Sequence, residues 1–372
     1  MRTTLFTILF FCFFFQTPVY AQQGIEKWSE AKSKAWYTQQ PWYVGCNFLP
    51  STAINQLEMW QAETFDTATI NRELRWASSI GMNCVRVFLH DLLYKQDPAG
   101  FLKRMDIFLK IADKNKIKVL FVFFDSVWDP YPYLGKQRDP RPGVHNSGWV
   151  QSPGKHALLD TTQYKRLELY IKAVTKRFAN DKRILCWDVW NEPDNSNSEP
   201  YHSYEPANKT EIVARLIERV YSWIRSQHPI QPLTSAVWDT ESSSDKWIKE
   251  ITRIQLQNSD IISFHNYGSA ADFEKLALKL SSYNRPVICT EFMARGNGST
   301  FEAILPVAKK LNTGAICWGL VNGKSNTIHD WSTWNKPDKE EPKLWHHDVF
   351  RKDGTPFSKT ETDFIKKITG KE

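Results

Sequence analysis

Two apolar runs of this chain end in glutamates: Ile184-Leu185-Cys186-Trp187-Asp188-Val189-Trp190-Asn191-Glu192-Pro193 and Pro286-Val287-Ile288-Cys289-Thr290-Glu291-Phe292. Pro193 cannot donate to a sheet ladder, so a strand through Trp187 should stop there, with Asn191 and Glu192 at its carboxyl end. A glutamate held among bulky aromatics loses hydration, its charged form is disfavoured and its pKa rises. Such an acid is what proton donation near neutral pH requires. Either glutamate alone could be a buried structural carboxylate or a helix cap. Two carboxylates flanking one bond, one as acid/base and one as nucleophile, form the arrangement that breaks glycosidic bonds.

The elements that must hold this pair read as an alternation of strands and helices. Strand candidates are Trp42–Phe48, Asn83–Leu89, Lys118–Phe124, Ile184–Trp190, Pro232–Trp238, Ile261–His265, Val287–Glu291 and Ala315–Leu320. They are short and apolar, as strands buried on both faces are. Amphipathic stretches separate them, clearest at Thr67–Ile80, Phe101–Lys114, Thr161–Phe178 and Glu211–Ser226, with a last helix near Lys359–Ile368. Phe301–Leu311 is also helical in pattern, but Pro306 should break or kink it. Eight strands with intervening helices predict an α/β fold, a single-domain (β/α)8 TIM barrel. An open doubly wound sheet would want a glycine-rich phosphate loop after its first strand, and the sequence has none. Glu192 then ends strand four and Glu291 strand seven, 99 residues apart (291 − 192) but on one face of the barrel. Long loops follow strands three (Asp125 to Asp160) and eight (Val321 to Pro342) and should rise from that same face.

WDVWNEP followed by PVICTEF resembles the clan A retaining glycoside hydrolases, most closely family 5, over the whole strand order beyond the leader. The resemblance implies that Glu192 is the acid/base and Glu291 the nucleophile, with Asn191 on the sugar 2-hydroxyl. Asn83-Cys84-Val85-Arg86-Val87-Phe88 is similar to the family's second strand, so Arg86 is expected to keep the nucleophile ionised. His265 and Tyr267 look like the strand-six His-x-Tyr pair, and Trp318 like the tryptophan that floors the cleavage subsite. Their plainer readings are a satisfied strand-end histidine and ordinary barrel packing. Where the family usually has a histidine after strand three, this chain has Asp125, which would bind a sugar hydroxyl or cap the long loop. Trp128 and His90 are further candidates for the cleft, Trp128 with packing as its alternative.

Composition fits an exported carbohydrate enzyme. Arg2, the apolar run Leu5 to Phe15 and Val19-Tyr20-Ala21 predict a signal peptide over residues 1–21, leaving residues 22–372 as a secreted or periplasmic catalytic domain. No later stretch has the length of a membrane span, and the protein is expected to be monomeric. The net charge of +7 comes from scattered lysines, which predicts a solvated surface and no nucleic-acid partner. Sixteen tryptophans, several in polar loops, favour a carbohydrate cleft. The five cysteines beyond the leader fall singly in strands, which suits buried core residues.

Neither a cofactor nor a metal is expected. His346-His347-Asp348 offers donors, but adjacent histidines on an extended segment would point apart. The expected activity is hydrolysis of a β-linked poly- or oligosaccharide of mannan, glucan or xylan type by double displacement. The alternatives are a catalytically inactive, lectin-like barrel and a metal-dependent deacetylase.

Overall fold

The computed structural model of the chain describes residues 26–197, 200–238 and 244–371. The expected signal peptide lies outside the described residues. Eight parallel strands form a TIM barrel: β1 (Val44–Asn47), β2 (Cys84–Phe88), β3 (Lys118–Asp125), β4 (Ile184–Asn191), β5 (Leu233–Thr234), β6 (Ile262–His265), β7 (Val287–Phe292) and β8 (Gly314–Cys317). Ladder hydrogen bonds run in the order β5-β4-β3-β2-β1-β8-β7-β6. Between β5 and β6 the barrel closes through a bridge, Val237 with Phe264, and the bonds Val237 N to Ser263 O (3.0 Å) and His265 N to Val237 O (3.1 Å).

The fifth strand is thus much shorter than the expected Pro232–Trp238. Its neighbourhood is held by side chains instead: Thr234 and Ser263 hydroxyls meet at 2.7 Å, and Gln255 donates to Ala236 O at 2.8 Å. The eighth strand also stops early, at Cys317, two residues before Gly319 takes a left-handed φ of +76°.

Alternation along the strands separates two apolar layers. Cys84, Leu120, Val122, Cys186, Ile288 and Ile316 face inward with Tyr43. Val85, Val87, Val119, Phe121, Trp187 and Cys289 face the surrounding helices. The helix Tyr164–Phe178 buries Leu167, Ile171, Val174 and Phe178, a spacing that draws one stripe down its length. All five described cysteines are free and buried, as their placement in strands predicts. The helix Phe301–Lys310 continues through Pro306, contrary to the expected break. Four fully buried side chains, Phe301, Ile304, Leu305 and Ala308, anchor it. The three large ones contribute about 1.5–3 kcal/mol each, which outweighs the roughly 3 kcal/mol cost of an interior proline.

Candidate active site

Two residues beyond Cys84 on β2, the inward row turns from apolar to charged. Arg86 is fully buried there. Its Nε donates to Asp188 Oδ2 at 2.9 Å, Nη1 to Asn47 Oδ1 at 2.9 Å and to Glu291 Oε1 at 2.7 Å, and Nη2 to Asn191 Oδ1 at 2.7 Å. One rigid planar cation thereby fixes groups from β1, β4 and β7. Asn47 is braced in turn, its Nδ2 donating to the carbonyls of Thr290 and Cys317.

Asn191 has its amide orientation set from both sides. Its oxygen faces Arg86, and its Nδ2 donates to Asp125 Oδ1 at 2.9 Å. Asp125 also accepts from Trp149 Nε1 at 2.6 Å and from the Val127 amide at 3.1 Å. The aspartate therefore caps the start of the long loop and orients Asn191. Burial pushes its carboxyl up to about 7.

The two glutamates come together as the strand slots require. Glu192 follows β4 with a left-handed φ of +44°, a strained conformation worth on the order of 1–3 kcal/mol for a non-glycine residue. Its Oε2 accepts from Asn195 Nδ2 at 2.7 Å, and its Oε1 lies 2.9 Å from His265 Nδ1. Glu291 accepts from Arg86 at 2.7 Å and, through Oε2, from the Tyr267 hydroxyl at 2.7 Å. Donor atoms of Glu192, His265 and Glu291 all lie within 4.8 Å of one another, and among the described residues no other such trio of possible metal ligands forms.

Burial raises the pKa of both glutamates, so Arg86 does not hold Glu291 below the ordinary range as expected. The guanidinium still opposes burial, and each glutamate disfavours charge on the other. The pair therefore carries one negative charge most readily. Of the two, Glu291 has the direct contact with Arg86 and the Tyr267 hydrogen bond. Burial lowers His265 to about 4, so its ring is neutral beside them.

A cavity of about 740 Å³ opens over the pair, a size suited to a small ligand. Asn191, Glu192, His265, Tyr267, Glu291, Trp318 and Trp128 line it, and so do Trp149, His145, Trp331, Trp238 and His347. Arg86 and Asp125 stand behind it as supports. His90 does not join the site: it is fully buried, and its Nδ1 accepts from the Leu92 amide at 3.2 Å to cap the helix Asp91–Gln96. His346 and His347 do not point apart as expected. Their rings lie 4.3 Å apart because the segment bends before Asp348, whose φ is +56°. Sequence reasoning also missed Asp188, Asn47 and Asn195. Asp188 carried a usable signal, a charge inside an apolar strand, which only a buried partner can support.

The family model described as Cellulase (glycosyl hydrolase family 5) matches residues 45–335. The chain belongs to glycosyl hydrolase family 5. A mannan endo-1,4-beta-mannosidase A from Emericella nidulans is 28% identical over 99 residues, 27% of this chain and 24% of that protein. A probable mannan endo-1,4-beta-mannosidase F of the same organism is 30% identical over 25% of this chain and 19% of its own. The chain thus spans about a quarter or less of the curated relatives it matches. Among solved structures, an exo-beta-1,4-mannosidase from Opitutaceae bacterium strain TAV5 superposes with a TM-score of 0.60 at 17% identity, over 89% of this chain and 60% of that one. An endo-1,4-beta-mannanase from Rhizomucor miehei gives 0.55 at 14% identity, over 88% and 96%. At such identities the likeness concerns the fold alone.

Proposed function

We propose that this chain is a retaining β-glycosidase, with Glu291 as nucleophile and Glu192 as acid/base, acting on a β-linked poly- or oligosaccharide of mannan, glucan or xylan type. The mannan-degrading relatives favour the first of these. The observation that carries the reading is the 4.8 Å cluster of Glu192, His265 and Glu291 donor atoms. Retention needs carboxyl groups about 5–5.5 Å apart, whereas inversion needs about 6.5–9.5 Å to seat a water.

In the first step a Glu291 oxygen bonds to the anomeric carbon, the glycosidic C–O bond breaks, and Glu192 gives its proton to the departing oxygen. Glu291 loses its charge on forming the ester, and Glu192 becomes the charged partner. In the second step Glu192 takes a proton from water, whose oxygen displaces Glu291 from the anomeric carbon. Asn191 presents its amide to the 2-hydroxyl, in an orientation fixed by Arg86 and Asp125. Trp318 offers an apolar ring face below the sugar. The barrel would act as a single catalytic domain and a monomer, exported by a leader over residues 1–21.

Hydrolysis of a panel of aryl β-glucosides, mannosides, xylosides and galactosides tests the reading. Turnover of at least one, lost in Glu291→Ala, is the expected result. Binding without turnover of any would leave a lectin-like barrel.

A further inference from the structure

The two long loops meet over one end of the cavity. The Asn146 amide donates to Ser325 O at 2.8 Å, the Asp338 amide to Gly143 O at 2.9 Å, and the His145 amide to Thr333 Oγ1 at 3.0 Å. The His145 ring, kept neutral by burial, donates through Nδ1 to His329 O at 2.9 Å. Trp128 packs on Trp334 with ring centroids 5.7 Å apart, and Arg141 lies over the same indole at 5.4 Å. The seam requires a glycine: Gly143 has φ +66°, and a Cβ there would stand 1.9 Å from Asp338 O.

The β1 loop joins the same wall. Asn55 donates to Gly148 O at 2.9 Å, Gln56 to Val150 O at 2.6 Å, and Lys324 Nζ to Glu58 at 2.6 Å. Loops from three strands are therefore bonded to one another rather than standing apart as cleft walls.

This wall stands immediately behind the catalytic pair. Trp331 is 5.1 Å from the ring of Tyr267, whose hydroxyl bonds Glu291. Trp149 is 5.8 Å from Trp318 and bonds Asp125, which holds Asn191. Trp149, Trp318, Phe48 and Leu49 line a void of about 20 Å³. That admits a single water and no sugar ring.

Past Glu192, the cavity is also lined by Asp194, Asn195, Ser196, Trp238 and Ile248. Trp238 is 42% exposed there, and its Nε1 donates to Asp194 Oδ1 at 2.9 Å, which holds its ring in place as a platform.

Direction follows from the proposed roles. The sugar attacked by Glu291 rests against Trp318 and Asn191, on the walled side. The leaving oxygen takes its proton from Glu192, so the rest of the chain departs past Trp238. We infer that the wall formed by the loops after β3, β8 and β1 leaves room for one glycon ring, and makes this an exo-acting enzyme that removes single sugars from non-reducing ends. The inference rests on the assignment of Glu291 and Glu192 above.

The test uses the full-length protein. The aryl β-glycoside panel first identifies the accepted sugar. The matching β-1,4-linked pentasaccharide, fluorescently labelled at its reducing end, is then sampled at low conversion. The expected products are free monosaccharide and labelled tetrasaccharide, with shorter labelled species appearing only after the tetrasaccharide accumulates. Labelled mono-, di- or trisaccharide appearing together with tetrasaccharide at the earliest times would mean interior cleavage, and would overturn the inference. Absence of turnover on the whole aryl panel would instead overturn the assigned chemistry, so the two failures are distinguishable.

Discussion

Glu291 and Glu192 are the same side chain in two surroundings. Glu291 meets a buried guanidinium and a phenol, both at 2.7 Å. Glu192 meets an amide at 2.7 Å and a neutral imidazole at 2.9 Å. Burial raises both pKa values, so burial does not tell them apart. The cation does. A fixed positive charge against Glu291 favours its carboxylate form, which is why the proposed roles make it the nucleophile and Glu192 the proton donor. The proposed roles thus rest on the partners rather than on the glutamates themselves.

Breaking the comparison at its two poles should give the largest effects. Glu291→Ala removes the proposed nucleophile, and should lower kcat on every substrate by roughly 10⁴-fold or more. Glu192→Ala should cost about 10²–10⁴-fold on poor leaving groups and far less on activated aryl glycosides, which need no proton. Equal losses on both substrate kinds would void the asymmetry.

Removing the cation comes next. Arg86→Met leaves Asp188 and Glu291 buried without their partner, and should destabilise the fold by about 3–5 kcal/mol, read from chemical denaturation. Tyr267→Phe is milder. It deletes one hydrogen bond to a charged group, worth about 1.5–3 kcal/mol, and should lower kcat roughly 10- to 100-fold with the fold intact.

A further prediction concerns the pH dependence of stability rather than turnover. Burial pushes the Asp125 carboxyl up to about 7 from the usual 3.8. Between those values the folded state holds a proton that the unfolded state has lost, so this residue makes stability fall as pH rises through the window. Denaturation of Asp125→Asn across the same window should show a shallower fall than the parent. An identical slope would remove Asp125 from the account.

The barrel and the meeting of Glu192 with Glu291 were legible in the sequence because short apolar runs ending in polar groups state both strand and strand end. Arg86, Asn191, His265 and Tyr267 were singled out by the resemblance of their motifs to the family's strands. His90 sits at a strand end too, yet it turned inward to cap a helix, a choice made by the local backbone that periodicity does not carry. The long β5 expectation failed for a related reason. Residues 235–238 look like a strand, but side-chain bonds from Thr234 and Gln255 stand in for most of the ladder. The wall between the loops was illegible, because it depends on contacts such as Gly143 with Asp338, nearly two hundred residues away.

The stereochemical course of hydrolysis tests the central claim most directly. Proton NMR of the first turnovers on a good aryl β-glycoside should show the β-anomer of the released sugar appearing first, followed by slow mutarotation to the mixture. The α-anomer appearing first would mean inversion, and would contradict the assignment of Glu291 as a nucleophile working beside Glu192.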